Sequence, residues 1–452
     1  MKMFNSKKIL FLAVAVLPLT TLQASPGFSR QMDVSCMSCH NQTMGQLNSF
    51  GRKFAASGYT MTSGNQSMID GDTLKLGLPS ALNAGVLLKA RYLKSDPDED
   101  DGLSDVGSDR GSLEMYKVSK LFFGGKIAEN VGGMGNFSYD SFGAKITYAD
   151  ELGSGYAGIT GFMDDDFGPF SGGEYYNTGL YAPLKLFENR RGTNAAQATE
   201  IGHGPATGIQ AYYGGETLYM SAGAYLPATS DHEGLDSGSS GIGVGRIAFA
   251  PTFGEWTIMV GAYGLSGTAT MSEAALDNEK PKADATKLLD ITREAFGLDA
   301  QIEGNIAGAS TVLVINAVLK NTTTLYDNGT NDYVDKMDPA TGYFINSELE
   351  LHAGDNTAFS VELQVNPWEA FGVKVAYLYF DDDYNYADSK FIDRQDRSDY
   401  SLGLDYNLRQ NVRFAVEYTH SDIKINDIRS NSGDLQSLSD SNNILAFAMI
   451  GF

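Results

Sequence analysis

The two cysteines of this 452-residue sequence lie three positions apart and are followed directly by a histidine, in the segment Cys36-Met37-Ser38-Cys39-His40. In a Cys-x-x-Cys-His segment the thiols can form thioether bonds to the vinyl groups of a haem, and the histidine can bind the iron. The spacing is strict because one short loop has to fix all three bonds. The segment therefore predicts one covalent haem c, attached at Cys36 and Cys39, with His40 as proximal iron ligand.

Other sites can also use two cysteines. In an exported protein the pair could form a disulfide. A thioredoxin-like site needs a βαβ context, which the surrounding sequence lacks. A zinc site needs further ligands close by, but the next histidine is His203. The motif uses every cysteine of the chain, and this favours haem.

Nearby methionines are the candidates for the second axial ligand. Met44, Met61 and Met68 all lie close enough downstream of His40, and a methionine ligand would raise the reduction potential of the haem. Each can equally serve ordinary packing. We take Met61 as the candidate distal ligand, although the sequence leaves the choice open.

The N-terminus has the pattern of a secretory signal peptide. Three lysines precede an apolar stretch from Ile9 to Leu19, and Leu22-Gln23-Ala24 offers a small-residue cleavage site. The apolar stretch is far shorter than the roughly 20 residues that a membrane-spanning helix needs. We expect residues 1–24 to be removed on export.

The haem segment, residues 25–70, is too short to form a substantial core alone, since domains of about 40 residues rarely do. Met44, Leu47, Phe50 and Phe54 have helical spacing and predict a short helix lying on the haem. Within it, Arg52 could pair with a haem propionate or remain a solvated charge. The remainder of the chain should supply the missing apolar cover.

Residues 71–452 alternate between apolar and polar side chains over eight to ten positions. This period is typical of transmembrane β-strands, whereas a soluble β-sandwich usually has fewer and shorter strands. The clearest runs are Phe296–Glu303, Phe359–Val365, Tyr400–Tyr406, Val412–Thr419 and Ile444–Phe452. The chain is therefore predicted to be mainly β, a transmembrane antiparallel barrel of about 16 strands with a short N-terminal helical haem segment. A count of 16 strands is favoured over 18. A barrel of that size has an interior wide enough to hold a further segment.

Features at the strand ends support a membrane barrel. The terminal Phe452 resembles the ending of bacterial porins, and Tyr377, Tyr379 and Phe380 are expected in an aromatic girdle. Strand parity breaks between Gly342 and Asp381, where an odd number of strands separates two long predicted loops.

The predicted loops are acidic, and the formal net charge of the chain is −23. This balance argues against nucleic acid as a partner and would attract cations. The acidic groups are Asp96–Asp101, Asp164–Asp166 and Asp381–Asp383. They could concentrate Fe²⁺ at the mouth of the barrel, or bind Ca²⁺ or Mg²⁺ at the membrane surface.

The segments Phe28–Gln31, Cys36–His40, Leu47–Phe54 and Gly58-Tyr59 together resemble the fused cytochrome–porins of iron-oxidising bacteria. The close match covers about 35 residues, and beyond them the shared feature is a porin-like barrel. Members of the family often have an aromatic and proline-containing run after the histidine, whereas this chain has Asn41–Gln46, so the haem cover can differ.

The resemblance implies a monohaem plug seated in an outer-membrane barrel of a Gram-negative bacterium, with the haem in the lumen or at its periplasmic side. It implies electron transfer from extracellular Fe(II), an oxidoreductase activity, to a periplasmic cytochrome, with outer-membrane lipids around the barrel. The alternatives are a transport porin whose haem plug is structural or gating, and a conduit for a different extracellular donor or acceptor.

Overall fold

The computed structural model describes the chain in segments that together include the barrel and its contents. They are residues 27–41, 46–64, 68–69, 78–79, 83–95, 111–115, 118–139, 141–164, 168–176, 179–180, 184–227, 240–272, 288–327, 336–337, 344–345, 350–385, 392–409, 411–425 and 441–452. The predicted signal peptide, Met44 and the acidic group at Asp96–Asp101 lie outside these residues.

Sixteen antiparallel strands close into a barrel, as the sequence predicts. Each strand pairs with its neighbours in sequence, and the last strand, Ser441–Gly451, pairs with the first, Ala84–Ser95, over nine positions, so the sheet has no open edge. Two of the strands are interrupted, and each is counted once. The strands are β1 (Ala84–Ser95), β2 (Ser112–Glu114 and Lys120–Lys126), β3 (Val131–Phe137), β4 (Phe142–Leu152), β5 (Gly155–Asp164), β6 (Ala206–Gly214), β7 (Leu218–Leu226), β8 (Ile242–Phe249 and Thr252–Phe253), β9 (Trp256–Ser272), β10 (Leu288–Ile306), β11 (Ala309–Asp327), β12 (Glu350–Trp368), β13 (Phe371–Asn385), β14 (Ile392–Arg409), β15 (Val412–Ile425) and β16 (Ser441–Gly451).

The predicted alternation is confirmed, with the apolar side chains on the outside. On β14, Leu402 and Leu404 are 51 % and 46 % exposed, while Asp399 and Asp405 are each 1 % exposed and face inward. An apolar outer band with a polar interior is the arrangement of a barrel surrounded by lipid. Aromatic residues mark the band, since the rings of Tyr377 and Tyr400 pair on the outer surface at 5.3 Å.

The structure corrects the sequence interpretation of β12, β13 and the connections at their ends. A two-residue turn joins β12 to β13, so an even number of strands separates the neighbouring long connections. Asp381–Asp383 lie within β13, not in a loop, because β13 stays paired with β14 beyond Phe380.

Two other side chains differ from expectation. Phe380 faces the interior, 7 % exposed, and is not part of the outer girdle. Asp164 ends β5 and is buried, where it accepts a hydrogen bond from Ser171 Oγ at 2.7 Å. Asp164 is therefore a structural residue inside the barrel, because a buried carboxylate needs a donor of this kind.

Two helical regions fill the lumen. The first, here called the plug, comprises described residues 27–41 and 46–64, with α1 (Gly27–Met32), a 3₁₀ turn (Cys36–Ser38) and α2 (Ser49–Ala56). The second, here called the lumen loop, connects β5 to β6 and includes α3 (Gly168–Gly173), a 3₁₀ turn (Arg190–Gly192) and α4 (Ala195–Ala198). No helix among the described residues is long and apolar enough to cross a membrane.

Candidate functional site

The plug, the lumen loop and the barrel wall enclose a cavity of about 520 Å³. This volume lies within the range of roughly 300–1,000 Å³ that small-molecule and cofactor sites occupy. The barrel part of the lining comes from β15, β16, β1, β2 and β3, and the plug contributes residues of α1, the cysteine turn and α2.

The predicted haem-binding residues meet at this cavity. Cys36, Cys39 and His40 all line it. The turn that carries them is closed by hydrogen bonds from the Cys39 and His40 amides to the Cys36 carbonyl oxygen, at 3.2 and 3.1 Å. A compact turn of this kind presents two thiols and one imidazole to the same space.

Both cysteines carry free thiols in the structure. Burial, followed by the neighbouring Cys36, raises the pKa of the Cys39 thiol to about 11. Because of this raised pKa, the thiol form predominates at neutral pH. The thiolate, which is the form that attacks a disulfide or binds a metal ion, is then a minor species.

Asn48 joins the cysteine turn to α2, a role that the sequence pattern did not predict. Its side-chain oxygen caps α2 by accepting from the Gly51 amide at 2.9 Å. Its side-chain nitrogen donates to the Ser38 carbonyl oxygen at 3.0 Å, and its own amide donates to the Cys39 carbonyl oxygen at 3.0 Å. The apolar stripe from Met44 to Phe54 predicts an earlier helix start, whereas α2 begins at Ser49 after Asn48. The available signal was the asparagine itself, because asparagine is a preferred N-cap.

Gly51 brings α2 into direct contact with the same turn. A Cβ atom added to Gly51 would stand 2.1 Å from the carbonyl oxygen of Cys39. Because that atom belongs to the backbone, no side-chain rotation could relieve the clash. Only glycine permits this approach of the helix to the cysteine turn.

Arg52 does not lie where either sequence interpretation put it. It is 1 % exposed, so it is not a solvated charge, and its Nη2 atom lies 2.8 Å from Glu303 Oε1 on the inner face of β10. Its Nη1 atom donates to the Leu47 carbonyl oxygen at 2.7 Å. Arg52 therefore docks the plug on the wall and is absent from the described lining of the cavity.

Close backbone packing adds to this docking. Tyr212 of β6 donates from its hydroxyl to the Ala56 carbonyl oxygen at 2.7 Å. A Cβ atom at Gly132 of β3 would stand 2.0 Å from the Gly58 carbonyl oxygen. The wall is thus shaped to receive the plug, which supplies the burial that this short segment lacks on its own.

The structure does not bring Met61 to the cavity. Met61 packs against the aromatic cluster around Phe54, outside the described lining. Among the described residues, Met134 of β3 and Met449 of β16 are the methionines that line it. Met44 lies outside the described residues and so does the side chain of Met68, and the distal ligand stays a prediction.

The lumen loop is held at several parts of the wall, and strands β12, β13 and β15 hold its second half. The Glu188 amide donates to the Glu417 carboxylate at 2.9 Å, and Asn194 Nδ2 donates to Glu362 Oε1 at 2.7 Å. Lys374 Nζ lies 2.7 Å from Glu417 Oε1, so this buried carboxylate is paired as well as hydrogen-bonded. The plug and the lumen loop also contact each other, since Gln46 Nε2 donates to the Leu184 carbonyl oxygen at 2.9 Å, and both line the cavity.

The cavity is lined by the types of residue that a haem c requires. Two thiols and an imidazole come from one turn, and apolar cover is available from Phe28 and Phe54 of the plug and from Phe122 of β2. A haem needs such cover because its ring is apolar, and covalent attachment needs the thiols. Cys36, Cys39 and His40 are the residues that would hold it.

The expected acidic mouth is only partly within the described chain. Among the described residues, no group of three or more histidine, cysteine or carboxylate side chains is placed to hold a metal ion. The structure thus defines no Fe²⁺, Ca²⁺ or Mg²⁺ site in those residues.

Several solved barrels are similar to this chain. OmpT of Vibrio cholerae is 13 % identical over 85 % of this chain and 100 % of its own, with a TM-score of 0.46. The outer-membrane channel DcaP of Acinetobacter baumannii is 12 % identical over 82 % and 97 %, with a TM-score of 0.46. An anion-selective porin from Comamonas acidovorans is 11 % identical over 82 % and 99 %, with a TM-score of 0.45. No protein-family model and no curated protein sequence matches this chain.

Proposed function

We propose that this protein is an outer-membrane electron-transfer barrel that holds one covalent haem c in its lumen. In this proposal it takes electrons from extracellular Fe(II) and delivers them to a periplasmic cytochrome. The observation that carries the proposal is the convergence of Cys36, Cys39 and His40 on one cavity inside the barrel.

The chain's own contribution is to hold and shield the site. The barrel wall separates the cavity from lipid, and the clamp formed by Asn48 and Gly51 fixes the cysteine turn against α2. The haem, when bound, supplies one-electron chemistry whose potential depends on its axial ligands and its burial.

Fe(II) as the donor rests on the sequence resemblance and on the acidic balance of the chain, which favours cations near its surface. Purified protein mixed with Fe²⁺ without oxygen should show the absorbance change of haem reduction. If the haem stays oxidised with Fe²⁺ while dithionite reduces it, Fe(II) is not the donor. The assignment of a covalent haem would not be affected by that result.

The haem assignment has its own test. Cys36→Ala should lose covalent haem, measured by peroxidase staining of a denaturing gel, whereas Met37→Ala should keep it because that position is variable in the motif. Staining retained in Cys36→Ala would overturn the haem assignment.

A transport porin is the second candidate, favoured by the closed 16-strand barrel with its polar inner face. Barrels of this size can enclose an aqueous channel. Rapid efflux of a small solute from liposomes containing the intact protein would support transport, and retention of the solute would count against it.

A further inference from the structure

One carboxylate inside the cavity is surrounded by three cationic side chains. Glu188 of the lumen loop has its Oε1 atom 2.9 Å from Lys89 Nζ and 3.6 Å from Arg91 Nη1, both on the inner face of β1. Its Oε2 atom lies 3.3 Å from Lys185 Nζ. All four residues line the cavity that Cys36, Cys39 and His40 also line.

The cations of this cluster exceed its carboxylates. Arg91 also pairs with Glu114 on β2, so three cations face two carboxylates. Their side chains are only 11–20 % exposed, which limits screening by water. A buried excess of positive charge favours binding of a further anion.

At neutral pH Lys185 supplies only part of this positive charge, and a bound anion would favour its charged form. Burial, and then the repulsion from Lys89, Arg190 and Arg91, lowers the pKa of Lys185 to about 7, despite the attraction of Glu188. Burial acts in the opposite sense on Glu188, but Lys185, Lys89 and Arg91 together hold its pKa well below the usual range.

The cavity thus combines thiols and apolar side chains with a separate cationic region. A haem has the same division, since its vinyl groups and its two propionate carboxylates occupy different edges of an apolar ring. We propose that Lys89, Arg91 and Lys185 bind the propionate carboxylates of the haem, with Glu188 as the resident carboxylate that moderates their charge. This inference rests on the proposed function, because it requires the haem at Cys36 and Cys39.

Reduction potential is the test, since it does not depend on any donor or acceptor. Removing a cation beside the propionates favours the oxidised haem, which carries one more positive charge than the reduced form. Lys89→Gln should shift the one-electron equilibrium by about tenfold, which is about 59 mV lower in potential. Glu188→Gln removes a negative charge and should raise the potential. Lys89→Arg keeps the positive charge and should have the wild-type potential.

Lys53→Gln is the matched control, because Lys53 is an exposed residue of the plug that lies outside the described lining of the cavity. Folding of every variant is checked by its heat-modifiable gel mobility. The proposal is overturned if Lys89→Gln shifts the potential no more than Lys53→Gln does, or if Glu188→Gln shifts it in the same direction. A wild-type protein with no covalent haem overturns the proposed function itself, and staining shows this before any potential is measured.

Discussion

Asn48 links the cysteine turn to α2 through both polar atoms of its side chain. Its side-chain oxygen caps α2, while its side-chain nitrogen holds the Ser38 carbonyl of the turn. These roles use different atoms of one amide, so substitution can separate them. Alanine removes both, whereas aspartate keeps the acceptor and loses the donor.

We expect Asn48→Ala to destabilise the plug by about 1 kcal/mol, which is roughly a fivefold increase in its open population. Chymotrypsin should therefore cleave the plug of the folded barrel about fivefold faster, because cleavage follows the open population when closing is fast. Asn48→Asp should be cleaved at an intermediate rate. Equal rates for alanine and wild type would show that the clamp contributes nothing.

Gly51 gives a second prediction, based on shape. Alanine normally favours a helix over glycine, but here its Cβ would stand 2.1 Å from the Cys39 carbonyl oxygen. Overpacking of this kind costs about 1–3 kcal/mol, so Gly51→Ala should increase plug cleavage and lower the yield of covalent haem.

Gly161→Ala is the control for Gly51→Ala, since a Cβ at Gly161 on β5 would meet nothing within 4 Å. It should behave as the wild type. If Gly51→Ala is also indistinguishable from the wild type, α2 does not rest on the turn as the structure indicates.

Residue chemistry was predictable where it depends on neighbours in sequence and not where it depends on the fold. Cys36, Cys39 and His40 form a local motif, so their convergence on one site was expected. Arg52 was not, because its partner Glu303 lies 251 positions away along the chain. The cationic cluster was missed for the same reason, since β1 and the lumen loop contribute to it from separate regions.

At the level of elements, the plug depends on the wall for its position. Arg52 and Glu303 form a buried pair, and removal of one partner leaves a buried charge uncompensated. Breaking such pairs typically costs about 3–5 kcal/mol. Other contacts also hold the plug on the wall, such as the hydrogen bond from the Tyr212 hydroxyl to the Ala56 carbonyl oxygen.

Arg52→Ala should therefore release the plug more strongly than Asn48→Ala, as measured by chymotrypsin cleavage of the folded barrel. The exposed neighbour Lys53→Ala serves as control and should have no effect. The double variant Arg52→Met with Glu303→Leu should recover much of the protection, because an apolar pair can replace a buried ion pair. Full protection in Arg52→Ala would mean that the ion pair does not hold the plug.

Elements also show why strands were easier to predict than their ends. A period of two identifies a strand with one face toward lipid, and the runs at Phe296–Glu303 and Tyr400–Tyr406 lie in β10 and β14. Above the membrane the outer face no longer needs apolar residues, so the pattern fades while backbone pairing continues. Asp381–Asp383 were interpreted as loop for this reason.

For the whole molecule, the central fact is that two inserts, the plug and the lumen loop, lie inside the barrel. Inward-facing charges are paired with each other and with the inserts, as Arg246 of β8 is with Asp299 of β10 through two hydrogen bonds at 2.8 and 2.6 Å. A pore open to water would leave such groups solvated, whereas both of these side chains are fully buried. The plug and the lumen loop therefore occupy space inside this barrel that an open channel would leave to water.

The electrical conductance of the intact protein in a planar bilayer should therefore be lower than that of an open barrel of 16 strands. Open barrels of this size leave an aqueous channel. Arg52→Ala should show frequent openings of severalfold higher conductance, because release of the plug frees part of the lumen while the lumen loop still occupies another part. Lys53→Ala should match the wild type in the same recordings. A wild-type protein that conducts steadily, with no change in Arg52→Ala, would mean that ions pass around a docked plug, and the porin candidate would then be preferred.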